Sequence, residues 1–294
     1  MYFTICIPTF NRAVTISRTL ESLIRQDFKD FEIIIIDDGS TDNTREVINQ
    51  YSKELNLQYV YKENGGKHTA LNKGIELANG EFFIILDSDD WLVDNSLSFI
   101  FTLCEKIRYN SEYCGVMCRC KNSETGLLIG QLFEEEPFIS SYTDFHFGSG
   151  IKRRYVDCFE ANKTSILKQY RWPEPVGTKF VPEQYIFNQI GLYYKLYCVN
   201  QIVEVKEYLE VGITKNKNYR KNNAIGYLWD YISTLDNILP KIKVSLKTRI
   251  IAWWKYWSIR KYVHSEEIPC VEHMTFLGVC VYMCTPIIDY LKKG

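Results

Sequence analysis

The sequence predicts an α/β fold with a doubly wound, mostly parallel sheet and a helical extension at the C-terminal end. Short apolar runs alternate with segments of helical spacing between Phe3 and Leu92, and each apolar run is followed by polar residues. Helical spacing returns from about Asn222 and continues to the end of the chain. Strands that alternate with helices are typical of a parallel sheet covered by helices on both faces.

The first half of the chain predicts each element in order. The run FTICI at 3–7 is a buried strand that ends at Pro8, and 13–27 has helical spacing. The run FEIIIIDDGS contains four consecutive isoleucines, which are typical of a central strand buried on both faces. The remaining predicted elements are a helix capped by Thr41 or Asp42 that ends near Tyr51, a strand at LQYVYKE, a helix at KHTALNKGIELA and a strand at EFFIIL.

Composition excludes several classes of protein. Hydrophobic residues make up 46% of the 294 positions, which excludes wholesale disorder. The net charge of −1 provides no overall attraction to nucleic acid. The N-terminus, MYFTICIPTF, has no basic leader followed by an apolar segment, so we expect a cytoplasmic protein whose ten cysteines remain thiols. The spacing of Cys114, Cys118 and Cys120 does not match the common zinc patterns.

Polar residues directly follow the predicted strands. They lie at 8–11, 37–40, 63–66 and 87–90, and two of these groups contain adjacent aspartates. Ligands of doubly wound sheets bind beyond the carboxyl ends of the strands, so these groups should meet at one edge. Desolvating unpaired carboxylates is costly, so we expect a cation among them. The sequence therefore predicts a nucleotide site that takes a divalent metal.

Four motifs together resemble the glycosyltransferase family 2 pattern on a GT-A fold. They are PTFNR at 8–12, DDGSTDNT at 37–44, NGGKHTALNKG at 64–74 and LDSDD at 86–90. The resemblance covers about the first 95 residues and returns at KFVPEQYIFNQI, 179–190. It implies an inverting transfer of a sugar from a nucleotide-diphosphate donor, expected to be UDP-linked, to a hydroxyl of a glycan or lipid-linked acceptor in surface polysaccharide synthesis. The processive members have a Q-x-x-R-W motif and long membrane spans that this sequence lacks, so a non-processive enzyme is expected.

The resemblance also implies roles for individual residues. Asp87-Ser88-Asp89 is similar to the D-x-D motif of the family, so Asp89, with Asp87, is expected to hold Mn²⁺ or Mg²⁺. Hard oxygen ligands suit both ions, and the donor diphosphate supplies further ligands. The residues expected to contact the donor are Pro8, Thr9, Asn11, Asp38, Asn64, Gly66, Lys67, Asp87 and Ser88. The family often has Arg where this chain has Leu71, and either Lys67 or Lys73 could take over its contact with the diphosphate.

Glu183 is the expected catalytic base. An inverting transfer needs a carboxylate that takes the proton from the attacking hydroxyl. Many relatives have Glu-Asp at this point, whereas this chain has Glu183-Gln184, and Asp144 and Asp157 are weaker candidates for the same role. His146 is interpreted either as an acceptor contact or as a structural residue.

The resemblance and the composition divide the chain into a catalytic domain at 1–215 and a helical region at 216–294. Within the catalytic domain, 1–113 is expected to bind the nucleotide sugar and 114–215 the acceptor. The segment from Lys241 to Ser265 has basic residues, three tryptophans and no acidic residue. It is interpreted either as a helix on an anionic membrane surface, at the inner face of the plasma membrane, or as a helix that packs its tryptophans on the catalytic domain. An uncharged run at 274–288 follows.

Three other functions compete with the transferase. An oxidoreductase is disfavoured because no predicted strand is followed by G-x-G-x-x-G. A sugar-1-phosphate nucleotidyltransferase needs a Gly-rich basic loop after the first strand, and IPTFNR does not supply one. The remaining alternative is a catalytically inactive glycan-binding or scaffold protein on the same fold.

Overall fold

The N-terminal part of the fold, in a computed structural model that describes residues 1–148, 157–208, 218–263 and 270–291, is a parallel β/α unit. Its strands are β1 (Phe3–Thr9), β2 (Phe31–Asp37), β3 (Leu57–Tyr61) and β4 (Phe82–Ile85). They pair in parallel in the order β3-β2-β1-β4. The connecting helices are α1 (Ile16–Ile24), α2 (Thr44–Asn49) and α3 (Lys67–Leu77). The predicted strands and helices of this part are confirmed, with shorter helices, but the N-cap residue of α2 is Asn43 and not Thr41 or Asp42.

The isoleucine run of β2 explains why this strand is central. Ile33 and Ile35 belong to one core cluster, whereas Ile34 and Ile36 belong to a second cluster. Because successive side chains of a strand point to opposite faces, the two clusters lie on the two faces of the sheet. All four isoleucines are fully buried, as predicted for a strand covered on both sides.

The second half of the sheet is mixed. Its strands are β5 (Trp91–Leu92), β6 (Tyr113–Asn122), β7 (Phe138–Ser140), β8 (Phe159–Lys163) and β9 (Lys195–Lys206). Its helices are α4 (Ser96–Ile107), α5 (Tyr142–Phe147), α6 (Thr164–Leu167) and α7 (Gln184–Ile190). The sheet continues in the order β4-β8-β6-β9-β5, and β7 also pairs with β9. β8 is antiparallel to both β4 and β6, whereas β6 and β9 pair in parallel.

The C-terminal helices form a third core cluster. They are α8 (Tyr219–Asn222), α9 (Ala224–Ser233), which continues as a π-helical turn at Thr234–Ile238, α10 (Leu246–Arg260) and α11 (Phe276–Leu291). Trp253 of α10 is only 4% exposed and packs in this cluster. Nε1 of Trp257 donates a hydrogen bond of 3.0 Å to the carbonyl of Gly278 in α11. These two tryptophans therefore pack against other C-terminal helices, and these contacts do not place them on the catalytic domain.

The C-terminal helices also contact the catalytic part directly. A Cβ added to Gly226 of α9 would lie 1.8 Å from the carbonyl oxygen of Phe180, so this helix approaches the 178–180 loop at backbone distance. The side chain of Asn223 accepts a hydrogen bond of 3.2 Å from the backbone N–H of Lys179. The predicted boundary between 215 and 216 lies outside the described residues. Within the described ranges, no helix has both the length and the apolar character needed to cross a membrane.

Candidate active site

A cavity of about 840 Å³ lies beyond the carboxyl ends of β1, β2 and β4. The residues that line it include Pro8, Thr9, Asn11, Asp38, Asn64, Gly66, Lys67, Asp87, Ser88 and Asp89. The structure therefore brings together all the residues predicted to bind the donor or the metal. Glu183 is not one of the lining residues, but it reaches the cavity through an ion pair with Lys67.

The loop after β1 is fixed by hydrogen bonds to the loop after β2. Asn11 adopts a left-handed backbone conformation with φ of 52°. Its N–H donates to Oγ of Ser40 at 2.8 Å, and its Oδ1 accepts from the N–H of Thr41 at 2.8 Å. Asp37 accepts from the N–H of Ser40 at 2.7 Å and from the hydroxyl of Tyr59 at 2.7 Å. The two predicted nucleotide loops therefore form one hydrogen-bonded unit.

Asp38 organises the glycine loop before α3. Its Oδ1 accepts hydrogen bonds from Nζ of Lys62 at 2.6 Å and from the N–H of Gly65 at 2.8 Å, and its Oδ2 accepts from the N–H of Gly66 at 2.7 Å. The side chain of Asp38 is nearly fully buried. Although Asp38 lines the cavity, its carboxylate thus binds backbone N–H groups of the glycine loop. Its sequence motif does not indicate this role.

Position 66 requires a glycine because of its backbone conformation and its close neighbours. Its φ of 97° and ψ of 160° lie in a region that only glycine occupies readily. A Cβ at this position would lie 1.9 Å from the carbonyl oxygen of Lys179. The absence of a side chain therefore allows the 64–66 loop and the loop at Lys179 to meet at the edge of the cavity.

Lys67 joins the predicted metal ligands to the predicted base. Its Nζ lies 2.5 Å from Oδ1 of Asp87 and 2.7 Å from Oε1 of Glu183. Burial alone would lower the pKa of Lys67, but the charges of Asp87 and Glu183 outweigh burial and raise this pKa above its ordinary value. Burial likewise opposes ionisation of Asp87, yet the charges of Lys67 and Lys206 lower its pKa. Lys67 is therefore a cation shared by two carboxylates.

The negative charge of Asp89 is less well balanced by nearby cations than that of Asp87. Burial and the nearby charge of Asp87 raise the pKa of Asp89, while the guanidinium of Arg12, 3.5 Å from Oδ2, acts in the opposite direction. Two neighbouring carboxylates at a cavity suit a hard divalent cation. Among the described residues, no group of three or more His, Cys, Asp or Glu side chains is arranged to hold a metal. Asp87 and Asp89 therefore fit a Mn²⁺ or Mg²⁺ that also takes ligands from a bound diphosphate, as these ions commonly do with nucleotides.

Asp90 anchors the acidic loop to β9. Its Oδ2 accepts from Nζ of Lys206 at 2.9 Å, and its Oδ1 accepts from the N–H of Glu207 at 2.8 Å. Burial raises the pKa of Asp90 to about 8, although Lys206 acts in the opposite direction. The buried carboxylate of Glu204 also contacts Lys206, at 3.2 Å. This buried cluster positions the backbone that carries Asp87 and Asp89.

Only some of the remaining predicted residues line the cavity. Leu71 is fully buried in the core, and Lys73 pairs with Glu76 on the surface at 2.8 Å, so Lys67 is the lysine of this motif that lines the cavity. Asp157 also lines the cavity, and its carboxylate accepts a hydrogen bond from Tyr208.

Asp144 and His146, by contrast, belong to helix α5. Asp144 participates in the N-cap of this helix, where Oγ of Ser141 accepts from its N–H at 3.1 Å. His146 lies at a second cavity, with Nδ1 2.6 Å from Oδ1 of Asn188, and burial lowers its pKa to about 4.

Sequence reasoning missed several lining residues. They are Phe10, Arg12, Ala70, Lys179, Lys206, Glu207, Tyr208 and Tyr219. Arg12 is part of PTFNR and Lys179 begins KFVPEQ, so the motifs themselves could have indicated these two positions. Tyr219, in contrast, comes from the C-terminal helices, and its place at the cavity depends on tertiary packing that no local pattern reveals.

Comparison with known proteins identifies related sequences. Residues 4–171 match the family described as Glycosyl transferase family 2. The GalNAc(5)-diNAcBac-PP-undecaprenol beta-1,3-glucosyltransferase of Campylobacter jejuni is 35% identical over 183 residues, which cover 58% of this chain and 54% of that protein. The poly(ribitol-phosphate) beta-N-acetylglucosaminyltransferase TarS of Staphylococcus aureus is 37% identical over 101 residues, which cover 33% of this chain and 18% of that protein. The chain thus spans about half the length of the Campylobacter relative and less of TarS.

Solved structures resemble the whole chain. The crystal structure of S. aureus TarS 1–349 matches with a TM-score of 0.66 and 18% identity over all of this chain and 92% of that chain. TarS has also been solved with UDP and with UDP-GlcNAc. The mannosyltransferase PcManGT from Pyrobaculum calidifontis, solved with GDP-Man and Mn²⁺, matches with a TM-score of 0.58 and 16% identity over 98% of this chain and 80% of that chain. At these identities the likeness is one of fold.

Proposed function

Since the chain belongs to glycosyl transferase family 2 and has the GT-A fold, we propose that it is an inverting, non-processive glycosyltransferase. It transfers a sugar from a UDP-linked donor to a hydroxyl of a glycan or lipid-linked acceptor in surface polysaccharide synthesis. The names of two relatives support this choice, since one acts on an undecaprenol-linked oligosaccharide and the other on poly(ribitol-phosphate). The UDP and UDP-GlcNAc complexes of TarS support the UDP-linked donor.

The observation that most supports the proposal is that Lys67 forms ion pairs with both Asp87 and Glu183. In an inverting transfer the base must stand near the donor, because the attacking hydroxyl loses its proton while the leaving diphosphate departs. Glu183 comes from the loop before α7, whereas Asp87 follows β4, so only the fold brings them to one cation. A catalytically inactive glycan-binding or scaffold protein on the same fold does not require this arrangement.

The positions of the residues support a role for each of them. Asp87 and Asp89 would hold Mn²⁺ or Mg²⁺, and such an ion would stabilise the negative charge on the departing diphosphate. The loops at 8–11 and 64–66 contact the nucleotide, since both line the cavity. Lys67 orients Glu183 and supplies a positive charge beside the diphosphate. Glu183 then takes the proton from the acceptor hydroxyl, and Asp157 and Asp144 are the alternatives for this step.

The division of the chain is part of the proposal. The catalytic domain comprises 1–215, with the nucleotide-sugar half at 1–113 and the acceptor half at 114–215, and the helical region comprises 216–294. A separate core cluster in the C-terminal helices supports this division. Tyr219 lines the active-site cavity, so the helical region also contributes to the site.

We propose further that the enzyme is cytoplasmic and peripheral on the inner face of the plasma membrane, where lipid-linked acceptors are presented. Helix α11 exposes an apolar surface that includes Phe276, which is 86% exposed, and Met283, which is 65% exposed. Lysines of the basic segment that begins at Lys241 are exposed beside the same helical bundle. Apolar side chains together with basic residues favour an anionic membrane surface.

Metal-dependent release of UDP from UDP-sugars tests the proposed activity. We expect Asp89→Ala to reduce release at least about 100-fold, because losing a metal-binding carboxylate costs several kcal/mol of transition-state stabilisation. EDTA should have a comparable effect on the wild-type protein. Asp94→Ala is the matched control, since Asp94 is an exposed carboxylate paired with Arg25 on the surface. Undiminished activity in EDTA would contradict metal dependence, and the absence of UDP release with every UDP-sugar and acceptor would favour the inactive glycan-binding alternative.

A further inference from the structure

Polar side chains at the start of helix α1 bind the backbone of the acidic loop, residues 87–90. Oγ1 of Thr15, the N-cap residue of α1, donates to the carbonyl of Ser88 at 3.0 Å. One turn further along, Oγ1 of the fully buried Thr19 donates to the carbonyl of Asp90 at 2.7 Å. Residues four apart lie on the same face of a helix, so one face of α1 holds this loop.

Arg18 belongs to the same face and binds the carbonyl of Asp89, one of the two proposed metal ligands. Its Nη2 donates to this carbonyl at 2.9 Å and also to Oε2 of Glu207 at 2.6 Å. Nη1 donates to Oε1 of Glu207 at 3.3 Å, so the ion pair is bidentate. The guanidinium carbon lies 3.9 Å from the centre of the Trp91 ring. The carboxylate and the ring together fix the plane of the guanidinium.

Glu207 connects Arg18 to a second anchor of the acidic loop. It lines the active-site cavity, and its N–H donates to Oδ1 of Asp90 at 2.8 Å. The loop is therefore held on one side by α1 and on the other by the residues at the end of β9. Arg18 contacts both sides, because it binds Glu207 and the loop carbonyl at the same time.

These hydrogen bonds restrict where the proposed metal ligands can lie. The carbonyls of residues 88, 89 and 90 each accept a hydrogen bond from a side chain of α1 or of its N-cap. An aspartate side chain is short, so a fixed carbonyl at Asp89 limits the positions that its carboxylate can reach. Residues that orient metal ligands without touching the ion are often worth as much to metal affinity as a ligand contact.

We propose that Arg18 is a positioning residue for the metal site. By holding the carbonyl of Asp89, it keeps the carboxylates of Asp87 and Asp89 in the arrangement that binds Mn²⁺ or Mg²⁺ together with the donor diphosphate. The inference rests on the proposed function, since it concerns the metal of that reaction. Arg18 is not one of the residues that line the cavity, so its effect on the metal passes through the loop.

The charge of Arg18 separates this role from a general electrostatic effect. A nearby positive charge repels a metal ion, and removing Arg18 would also leave the carboxylate of Glu207 at the cavity without this partner. If only charge mattered, loss of Arg18 would therefore strengthen Mn²⁺ binding. A positioning role predicts weaker binding. A residue that only stabilises the fold would change the free energy of unfolding and leave Mn²⁺ affinity unchanged.

Binding of Mn²⁺ to the full chain in the presence of UDP tests this inference. The EPR signal of free Mn²⁺ provides the measurement, after correction for the Mn²⁺ that UDP binds alone. We expect Arg18→Met, which keeps an unbranched side chain beside Trp91, to weaken Mn²⁺ binding roughly 10–100-fold. Arg25→Met is the matched control, because Arg25 lies at the end of the same helix and pairs with Asp94 at the surface at 3.1 Å. It should leave Mn²⁺ affinity unchanged.

Thr19→Val is a second variant, which decides the outcome if Arg18→Met does not fold. Valine keeps the shape and charge of the side chain and removes the donor to the carbonyl of Asp90, so Mn²⁺ binding should weaken about tenfold. The inference is overturned if folded Arg18→Met binds Mn²⁺ as tightly as the wild-type protein or more tightly, or if Thr19→Val does so when it is the variant that folds.

A wild-type protein that binds no Mn²⁺ with UDP would contradict the metal site and this inference together. If the wild-type protein binds Mn²⁺ and releases UDP while the variants bind Mn²⁺ equally well, only the role of Arg18 is contradicted. The two failures are therefore distinguishable.

Discussion

At the scale of single residues, Lys67 has the most informative surroundings. Its position in NGGKHTALNKG indicates a contact with the donor, yet in the structure its ammonium pairs with Asp87 and Glu183. A lysine held by two carboxylates keeps its charge and fixes the orientation of both partners. A diphosphate that enters the cavity would therefore meet a cation that is already in place.

Gly66 gives a prediction about stability and donor binding. Gly66→Ala should cost about 1–3 kcal/mol from backbone strain alone, and the contact with the carbonyl of Lys179 adds to that cost. Gly126→Ala is the matched control, because Gly126 also has positive φ but an added Cβ there would have no neighbour within 4 Å. It should cost only about 1–2 kcal/mol. Chemical denaturation and UDP titration should show that only Gly66→Ala weakens nucleotide binding, and equal effects of the two variants would show that the close approach to Lys179 is unimportant.

Residue-level reasoning from the sequence predicted the loops that line the cavity but not all their interactions. The acidic and glycine motifs predict which side chains line the cavity, because strand ends in a parallel sheet converge at one edge. The motifs do not indicate that the carboxylate of Asp38 accepts from the backbone of Gly65 and Gly66, since such bonds depend on loop conformation. Tyr219 was missed because it enters from a distant helix.

At the scale of elements, helices α7 and α9 are joined by a buried polar contact. Gln184 directly follows the proposed base, Glu183, in the sequence. Its Nε2 donates a hydrogen bond of 2.9 Å to Oδ2 of Asp230. A carboxylate in place of Gln184 would face the buried Asp230 without a donor between them. The amide of Gln184 is therefore compatible with the buried carboxylate of Asp230 on α9, because it supplies a hydrogen-bond donor.

The pH dependence of stability tests this contact. Burial raises the pKa of Asp230 to about 6, above its ordinary value in the unfolded chain, while Gln184 and Lys255 act in the opposite direction. Ionising this carboxyl therefore costs more in the folded state, and its contribution to stability is present near pH 4 and lost as the pH rises through 6.

We expect the free energy of unfolding of the wild-type protein, relative to Asp230→Asn, to fall by about 2 kcal/mol between pH 4 and pH 8. An asparagine can still accept the hydrogen bond from Gln184, and both proteins share the buried His146, so other titrations largely cancel in the difference. Denaturant titrations of both proteins across this range provide the measurement. If the difference in unfolding free energy between the two proteins does not change with pH, burial does not raise the pKa of Asp230 in the folded state.

The periodicity of the elements explains what could be predicted at this scale. The isoleucine run of β2 and the alternation around it specify a central parallel strand, and the structure confirms it. Strand β8 could not be placed from sequence, because FEANK has no strong period and its antiparallel pairing with β4 and β6 depends on long-range contacts. Helix α10 was correctly predicted, but its pattern could not decide which surface covers its tryptophans.

At the scale of the whole molecule, the C-terminal helices serve the active site and also present an exposed apolar surface. Asn223 and Gly226 contact the loop at 178–180, which meets Gly66 at the cavity. The exposed residues of α11 lie apart from these contacts and include Phe276, Val279, Tyr282 and Met283. One surface of the bundle is therefore exposed and apolar, while another surface contacts the loop at the edge of the candidate active site.

Sedimentation with anionic vesicles tests the membrane surface. We expect the full chain to bind at low salt and to dissociate at high salt, because each basic residue near the surface contributes about 1 kcal/mol that salt screens. The double variant Phe276→Glu and Met283→Glu should remain in the supernatant. Val14→Glu is the matched control, since Val14 is 96% exposed on the catalytic part and should not affect binding. A wild-type protein that stays in the supernatant at low salt would contradict peripheral membrane binding.

The most direct test of the proposed transferase is to measure sugar transfer and UDP affinity together in Glu183→Gln. This substitution keeps the shape of the side chain and removes the basic oxygen, while Lys67 keeps its contact with Asp87. We predict that transfer falls by roughly 10²–10⁴-fold and that UDP affinity stays within a few-fold, because the base acts on the acceptor. Glu112→Gln, at an exposed surface ion pair with Lys195, should leave both quantities unchanged. Near-normal transfer by Glu183→Gln would contradict the assignment of the base and move that role to Asp157 or Asp144.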